Sequence, residues 1–301
     1  MLRAPVLLLT GFLLTLSSSG FSSEPTPDKT RERRRLGNHI FTPSDILLEP
    51  FATSYAQMAT GGGTSKATVA GNDYNLAAFF LSFEGQAAIN HWFALGFSFL
   101  GAAVVGTDID SALTAGANGQ FTGSVRALAE FLRSESISSA LVVTAGQGPS
   151  YQISPEAALT NQQDILAKKT ESSIVPELRF AWGLSPTIGL LSSLSYDYTS
   201  SNPKDGPTEK EKAAAGSIGV SCDLAPATPL PISLLASLGR SLGIGRNNEK
   251  RTNFGFGVFT SGQLDFSIGT ELFISHSRDI VETVPIKQNS VLGKVGMRYY
   301  W

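Results

Sequence analysis

The sequence predicts an all-β fold: a single transmembrane, antiparallel, up-and-down β-barrel of about 12 strands, with about 10–14 possible. Three observations support this prediction. The chain begins with a short apolar leader, and segments of about ten residues with alternating hydrophobicity follow it. The second face of these segments carries small residues and charges of both signs.

The first 22 residues have the pattern of a cleaved secretory signal peptide. Arg3 precedes an apolar run from Val6 to Leu16, and small residues follow before the polar stretch that begins at Glu24. The run is shorter than the roughly 20 residues that a membrane-spanning helix needs. A buried amino-terminal helix is the alternative, but the charged start and the small residues after the run favour a signal peptide at 1–22.

Composition and charge narrow the class of function. The formal net charge of −2 gives no indication of nucleic acid as a partner. A single cysteine, Cys222, leaves neither an intrachain disulfide nor a thiol cluster for a metal. The three histidines are far apart in the sequence, so we expect no histidine metal site and no cofactor.

A polar, basic segment spans residues 23–50, between the leader and the predicted barrel at 51–301. Runs of charge without apolar residues usually stay solvated, so the sequence predicts a periplasmic tail here. Two alternatives remain open, namely electrostatic attachment to an anionic surface and insertion into the barrel lumen. The clustered cations are Lys29, Arg31, Arg33, Arg34 and Arg35, interrupted by Glu32.

Twelve segments with period-two hydrophobicity are the predicted strands of the barrel. The first lies at 51–60 and the last at 289–301, and these two are expected to pair and close the barrel. The stretch 121–133 also fits a helix. The ten segments between the first and the last are 76–84, 93–99, 121–131, 137–143, 174–182, 188–196, 218–224, 232–238, 254–258 and 264–274.

The predicted connections alternate between short and long, as expected for tight turns at one rim and longer loops at the other. The stretch TGGGTSK at 60–66 is glycine-rich, but Ala67 follows its lysine, so it lacks the ending of a phosphate-binding loop. We therefore expect a flexible loop over 60–72. The loop at 147–170 is the longest and is the candidate constriction of the lumen.

A transmembrane barrel places its apolar face in lipid and its second face in the lumen. The same charges would also suit the outside of a soluble β-sandwich. The leader, the strand lengths and the aromatic strand ends favour the membrane. The candidate lumen and selectivity residues are Arg126, Glu130, Glu177, Arg179, Asp197, Asp265, Glu271, Lys294 and Arg298.

The chain ends in KVGMRYYW, whose last residues alternate between two faces. This ending resembles the carboxy-terminal recognition signal of bacterial outer-membrane β-barrels, with Lys294, Gly296, Tyr299 and Trp301 at the signal's polar, glycine and aromatic positions. The resemblance implies a place in the bacterial outer membrane, contact with its lipid and recognition by the barrel assembly machinery. The chain between its two ends is similar to porin-like outer-membrane transport proteins generally. That similarity implies a channel for small solutes and leaves the solute and the oligomeric state open.

Two other functions remain open, a non-conducting barrel for adhesion or envelope structure and a barrel lipid hydrolase. His276 and Ser277 lie next to each other at the end of the penultimate strand, with Asp279 close by. Neighbours in a strand point to opposite faces, so this histidine and serine are poorly placed to act together. The chain also does not resemble barrel lipid hydrolases in their His-x-Ser spacing. We therefore expect no enzyme activity.

Overall fold

The computed structural model describes residues 31–42, 44–114, 116–153, 166–203, 207–244, 249–281 and 284–301. The predicted signal peptide at 1–22 and the centre of the predicted constriction at 147–170 lie outside the described residues.

Within the described residues, twelve antiparallel strands form one closed barrel. Each strand pairs with its neighbours in chain order, and the last strand closes against the first. The predicted all-β meander and its closure are therefore confirmed. The barrel strands are β3 (Tyr55–Val69), β4 (Asn72–Ala88), β5 (Phe93–Gly106), β6 (Ala117–Arg133), β7 (Ile137–Ile153), β8 (Leu166–Gly183), β9 (Ile188–Pro203), β10 (Glu209–Asp223), β11 (Ile232–Gly243), β12 (Lys250–Thr260), β13 (Phe266–Val281) and β14 (Val284–Tyr300).

The outward face of the barrel is mainly apolar, as the alternation predicted. A closed barrel has no unpaired strand edge, so its backbone needs no water at this surface. The outer face is thus suited to a lipid environment. Five outward-facing residues on β4 and β5 are between 37% and 60% exposed. They are Phe79, Leu81, Phe83, Phe97 and Phe99.

The helix considered for 121–133 does not form, because this stretch is the greater part of β6. Its apolar residues Phe121 and Val125 face outward and are 61% and 53% exposed. An irregularity between Glu130 and Leu132 shifts the register near the end of the strand. One short helix, α1 (Ile109–Thr114), lies between β5 and β6. No helix in the described part of the chain is long and apolar enough to cross a membrane.

The flexible loop predicted over 60–72 is wrong, because β3 and β4 continue to a two-residue turn at Ala70 and Gly71. Both turn residues have positive φ, as a tight hairpin requires. The glycine-rich stretch belongs to β3, where a Cβ on Gly61 would lie 2.5 Å from the Phe80 ring. The alternation of short and long connections is wrong as well, since this turn is as tight as those at the other rim.

Residues 31–42 and 44–54 fill one end of the barrel, with the exposed side chains of Glu32 and Arg35 at its rim, and we name them the plug. The solvated tail predicted for 23–50 is therefore wrong for residues 31–42 and 44–50, and the first barrel strand begins at Tyr55 instead of residue 51. The plug occupies the rim at which the barrel's two chain ends meet, which we name the plug rim. The connections at this rim are 89–92, 134–136, 184–187, 224–231 and 261–265.

The plug begins with a small hairpin formed by β1 (Arg35–Leu36) and β2 (His39–Ile40). Its turn residues Gly37 and Asn38 have φ values of 53° and 67°, which fits a two-residue hairpin turn. The backbone nitrogen of Gly37 donates to the carbonyl oxygen of Glu135 at 2.6 Å. This bond fixes the hairpin to the connection between β6 and β7.

Apolar side chains after the charged run explain why this segment leaves water. Leu36, Phe41, Leu47 and Phe51 are at most 1% exposed. They pack in one cluster with apolar inner-wall residues of β8, β9, β11 and β12. Burying such a side chain contributes about 1.5–3 kcal/mol, which favours the interior of the barrel over a solvated tail.

Candidate functional site

The plug contacts the inner wall on all sides of the barrel at the plug rim. Each of the twelve barrel strands contributes at least one inner-wall residue that is buried, and plug residues contact strands on all sides. Buried inner-wall residues, from β3 to β14, include Gln57, Gln86, Ala94, Leu128, Val142, Ala181, Leu191, Ser221, Leu235, Phe259, Glu271 and Arg298.

Inner-wall glycines provide room for the plug's apolar side chains. A Cβ on Gly219 would clash with the side chain of Leu47, and one on Gly189 would lie 2.6 Å from the Phe41 ring. The plug therefore packs directly against the backbone of the wall at these two glycines.

A charged cluster holds the deepest part of the plug to the wall. Gln57 Nε2 donates to both carboxylate oxygens of Asp45, at 2.7 and 2.8 Å. Lys294 Nζ forms an ion pair with the same carboxylate, and Arg298 Nη2 lies 3.4 Å from it. Lys294 also pairs with Glu271 at 2.7 Å. We name these five residues the latch.

The latch includes backbone contacts and stabilises an ionised plug carboxylate. Glu271 Oε1 accepts a hydrogen bond from Ser44 Oγ at 2.6 Å and from the backbone nitrogen of Asp45 at 3.0 Å. Burial raises the pKa of Asp45, but the positive charges of Lys294 and Arg298 outweigh burial and leave this pKa below its ordinary value. The docked plug thus favours the charged form of Asp45.

A second group of contacts surrounds Tyr300, at the end of the last strand. The guanidinium carbon of Arg34 lies 4.0 Å from the centroid of this ring, a cation–π distance. The Tyr300 hydroxyl donates to Glu49 Oε2 at 3.4 Å, and Arg179 Nη1 donates to the Glu49 carbonyl oxygen at 3.3 Å. Burial raises the pKa of Glu49, against the opposing charges of Arg298 and Arg34. This group therefore favours a protonated Glu49.

Further inner-wall charges pair with one another. Arg126 forms an ion pair with Glu84 and donates to the Tyr55 hydroxyl at 2.9 Å. Arg179 pairs with Glu177 at 2.6 Å. These ion pairs balance the charges of the wall around the plug, and no plug carboxylate takes part in them.

The structure places most of the predicted lumen residues on the inner wall, and it brings Glu271, Lys294 and Arg298 together in the latch. Glu130 accepts hydrogen bonds from Arg133 at 2.9 Å and Ser138 at 2.7 Å. The remaining predicted residues lie elsewhere: Asp197 is on the inner wall away from the plug, near Thr199, and Asp265 is in a plug-rim connection, 3.8 Å from Arg31.

Sequence reasoning missed the plug's own carboxylates, Asp45 and Glu49, because both fell in the supposed tail. It also missed Gln57, although the period-two rule could have found it. Met58 and Thr60 face outward, so Gln57 between the outward positions must face the lumen.

Beyond the latch, towards the rim opposite the plug, many inner-wall residues are half-buried and carry hydroxyl groups, beside apolar side chains such as Phe80 and buried serines such as Ser277. We name this part of the lumen the vestibule. Its hydroxyl side chains bond one another across neighbouring strands, as in the pairs Ser98–Ser124 at 2.7 Å and Ser193–Ser217 at 2.8 Å. Such a wall is suited to contact with water and polar solutes.

The residues at the end of β13 lie on opposite faces of the barrel. The His276 ring faces outward, 2.5 Å from Asn289 Oδ1, while Ser277 faces inward and is 7% exposed. The described residues contain no group of three or more side chains that could hold a metal ion.

The last residues alternate as their sequence predicted. Tyr299 and Trp301 face outward with their rings stacked at 6.3 Å, and Gly296 faces inward above Ala59. The backbone nitrogen of Trp301 donates to the Ser54 carbonyl oxygen at 3.3 Å, next to the start of the first barrel strand.

The barrel is similar to solved outer-membrane barrels at low sequence identity. An outer-membrane channel from Pseudomonas putida F1 has a TM-score of 0.57 and 13% identity, over 86% of this chain and 99% of that one. The β domain of the Bordetella autotransporter Brka has a TM-score of 0.54 and 12% identity, over 83% and 100%. The translocator domain of the autotransporter NalP from Neisseria meningitidis has a TM-score of 0.50 and 11% identity, over 82% and 88%. No protein-family model and no curated protein matches the sequence. The fold of this chain is that of bacterial outer-membrane β-barrels.

Proposed function

We propose that this protein is a bacterial outer-membrane channel for small solutes, and that its own plug closes the lumen at one rim. The observation that carries the proposal is the contrast along the lumen. Most of the vestibule wall is half-buried and rich in hydroxyl groups, whereas at the plug every strand contributes a buried inner-wall residue. Moving one chain segment would therefore join the vestibule to the plug rim.

The plug combines polar contacts, which water can replace, with four buried apolar side chains that favour the docked position. Its deepest part is held by ion pairs and hydrogen bonds, and Asp45 in the latch keeps 26% of its side chain exposed. Water can replace such contacts when the segment moves, so their net contribution is smaller than their number implies. No strand of the barrel needs to separate for the plug to leave.

The proposal includes the orientation of the barrel. Outer-membrane barrels have short periplasmic turns and longer outer loops. The connections at the plug rim are at most eight residues long, whereas ten residues join β5 to β6 at the opposite rim, beside the tight turn at Ala70 and Gly71. The plug would then face the periplasm, and Tyr299 and Trp301 would lie at the periplasmic lipid interface. We include recognition of the last strand by the barrel assembly machinery in the proposal, because of its resemblance to the assembly signal.

The proposal includes no enzyme activity. The outward position of His276 and the inward position of Ser277 separate the two groups that a hydrolase would need to bring together.

A non-conducting envelope barrel is the second candidate, favoured by the burial of inner-wall residues on all twelve strands. Solute uptake into proteoliposomes separates the two functions. We expect slow uptake of a small sugar with the full chain and rapid uptake with a chain that lacks residues 31–50. As a control, both proteins should resist unfolding in unheated detergent, which shows that each contains a folded barrel. Equal, background uptake with both folded proteins would support the non-conducting barrel and contradict the channel.

A further inference from the structure

In the latch, the plug contributes the Asp45 carboxylate, and the barrel wall contributes the site that binds it. The wall supplies three donors to Asp45, namely Gln57 Nε2, Lys294 Nζ and Arg298 Nη2. Gln57 bonds both oxygens of the carboxylate, so the site recognises the planar group and its charge. Only Asp45 in this set comes from a segment that can leave the lumen.

The wall keeps an unbalanced positive charge when Asp45 is removed. Lys294 and Arg298 are cations, and Glu271 is the one latch carboxylate that remains with Lys294, at 2.7 Å. Glu84, another wall carboxylate near Arg298, is already paired with Arg126. Without the plug, the direct partners that Arg298 keeps among the described residues are neutral, namely Gln57, the Tyr300 hydroxyl and the Tyr55 ring.

The plug carboxylate is the most exposed charged group of the latch. The Asp45 side chain is 26% exposed, whereas those of Lys294 and Arg298 are 7% and 5% exposed. A cavity of about 20 Å³ adjoins the latch and is lined by Ser44, Asp45 and the wall residues around them.

We infer that this wall site is a binding site for a small carboxylate solute, which competes with Asp45 and releases the plug. A bound solute carboxylate would accept hydrogen bonds from Gln57, Lys294 and Arg298, and its negative charge would restore the charge balance of the wall. No covalent bond changes in this exchange. The inference rests on the proposed function, because the solute must reach the latch through the vestibule.

Release of the plug can be measured by the reactivity of a buried thiol. Leu47 is 1% exposed, so a Leu47→Cys variant in a Cys222→Ser background should react slowly with a maleimide while the plug is docked. We expect sodium acetate to increase this rate several-fold along a saturating curve. Acetamide has the same shape without the charge, and sodium chloride at the same ionic strength tests screening, so neither should reproduce the increase.

Two further variants locate the effect. Arg298→Met should abolish the saturable effect of acetate on the labelling rate. The labelling rate of the denatured chain gives the maximum expected for a fully released plug. Asp197→Asn, which removes a wall carboxylate away from the plug, should retain the effect. An equal increase with chloride, or an acetate effect that survives in Arg298→Met, would overturn the inference. Thiol reactivity does not depend on conduction, so this outcome is distinct from failure of the channel in solute uptake.

Discussion

Replacing Lys294 with Met should detach the plug while leaving the barrel closed. Met keeps the length of the side chain but removes the cation between Asp45 and Glu271. The Lys294 side chain is 7% exposed and that of Glu271 is 2% exposed, so the change leaves a buried carboxylate without its partner. Strand pairing in the barrel uses backbone atoms and is not altered.

The magnitude follows from the burial of this pair. Removing one partner of a buried ion pair costs about 3–5 kcal/mol. Asp45 is partly exposed and keeps Gln57 and Arg298, so we take the lower end, about 3 kcal/mol. At about 1.4 kcal/mol for each factor of ten, the fraction of barrels with a detached plug should rise about 100-fold.

Maleimide labelling of a Leu47→Cys thiol in a Cys222→Ser background measures this fraction. A matched control is Lys66→Met, which removes the lysine of an exposed ion pair with Asp73 and should change the rate little. Adding Glu271→Gln to Lys294→Met should recover part of the loss, because the unpaired carboxylate is then absent. A labelling rate within threefold of the parent for Lys294→Met would refute the role assigned to the latch.

Three further predictions concern the plug and the last strand. Because docking lowers the pKa of Asp45, docking is stabilised at pH values above the ordinary pKa of 3.8, and this stabilisation should be lost as pH falls through the lower, docked pKa. The labelling rate divided by that of the denatured chain at the same pH, from pH 7 to pH 3, measures the loss. The raised pKa of Glu49 acts in the opposite direction, so the titration is made with Glu49→Gln, in which this group does not titrate. Gly189→Val should raise labelling at pH 7, since its side chain would clash with the Phe41 ring of the plug, which is retained in the Leu47→Cys background. Trp301→Lys should lower the amount of protein in the outer membrane although a charge near the interface costs only about 0–1 kcal/mol.

Each of these predictions has an outcome that contradicts it. A labelling rate that keeps the same ratio to the rate of the denatured chain between pH 7 and pH 3 would remove Asp45 from the account of docking. An unchanged rate for Gly189→Val would show that the plug does not lie against this part of β9. Equal outer-membrane amounts of Trp301→Lys and wild type would contradict the assembly signal, with refolding in detergent as the control for barrel stability.

The barrel could be predicted from the sequence because the two faces of a strand are visible in alternate residues. Phe79, Leu81 and Phe83 identify one face of β4 from the local sequence alone, whatever the neighbours of this strand in the fold. The strand lengths were underestimated because their outer parts are glycine- and serine-rich, as in the 60–66 stretch of β3. Such residues have low strand propensity, and only pairing with neighbouring strands keeps them extended.

The plug could not be predicted, because what buries it is distant in the sequence. The cation of Arg34 is accommodated by the carbonyl oxygen of Leu264 and the ring of Tyr300, neither of which a local charge count includes. The latch likewise joins Asp45 to Lys294 and Arg298 at the other end of the chain. Period-two reasoning placed these two cations in the lumen, but it could not identify their partner.

Single-channel recording tests the central claim, that the plug closes a conducting lumen, most directly. The full chain with Asp45→Lys places a cation opposite Lys294 and Arg298, which should repel the plug from the wall. The account predicts rare, brief openings for the wild type, long-lived openings for Asp45→Lys and a wild-type record for Asp45→Glu, which keeps the charge. Folded Asp45→Lys protein that inserts into the bilayer and shows no more current than the wild type would contradict it.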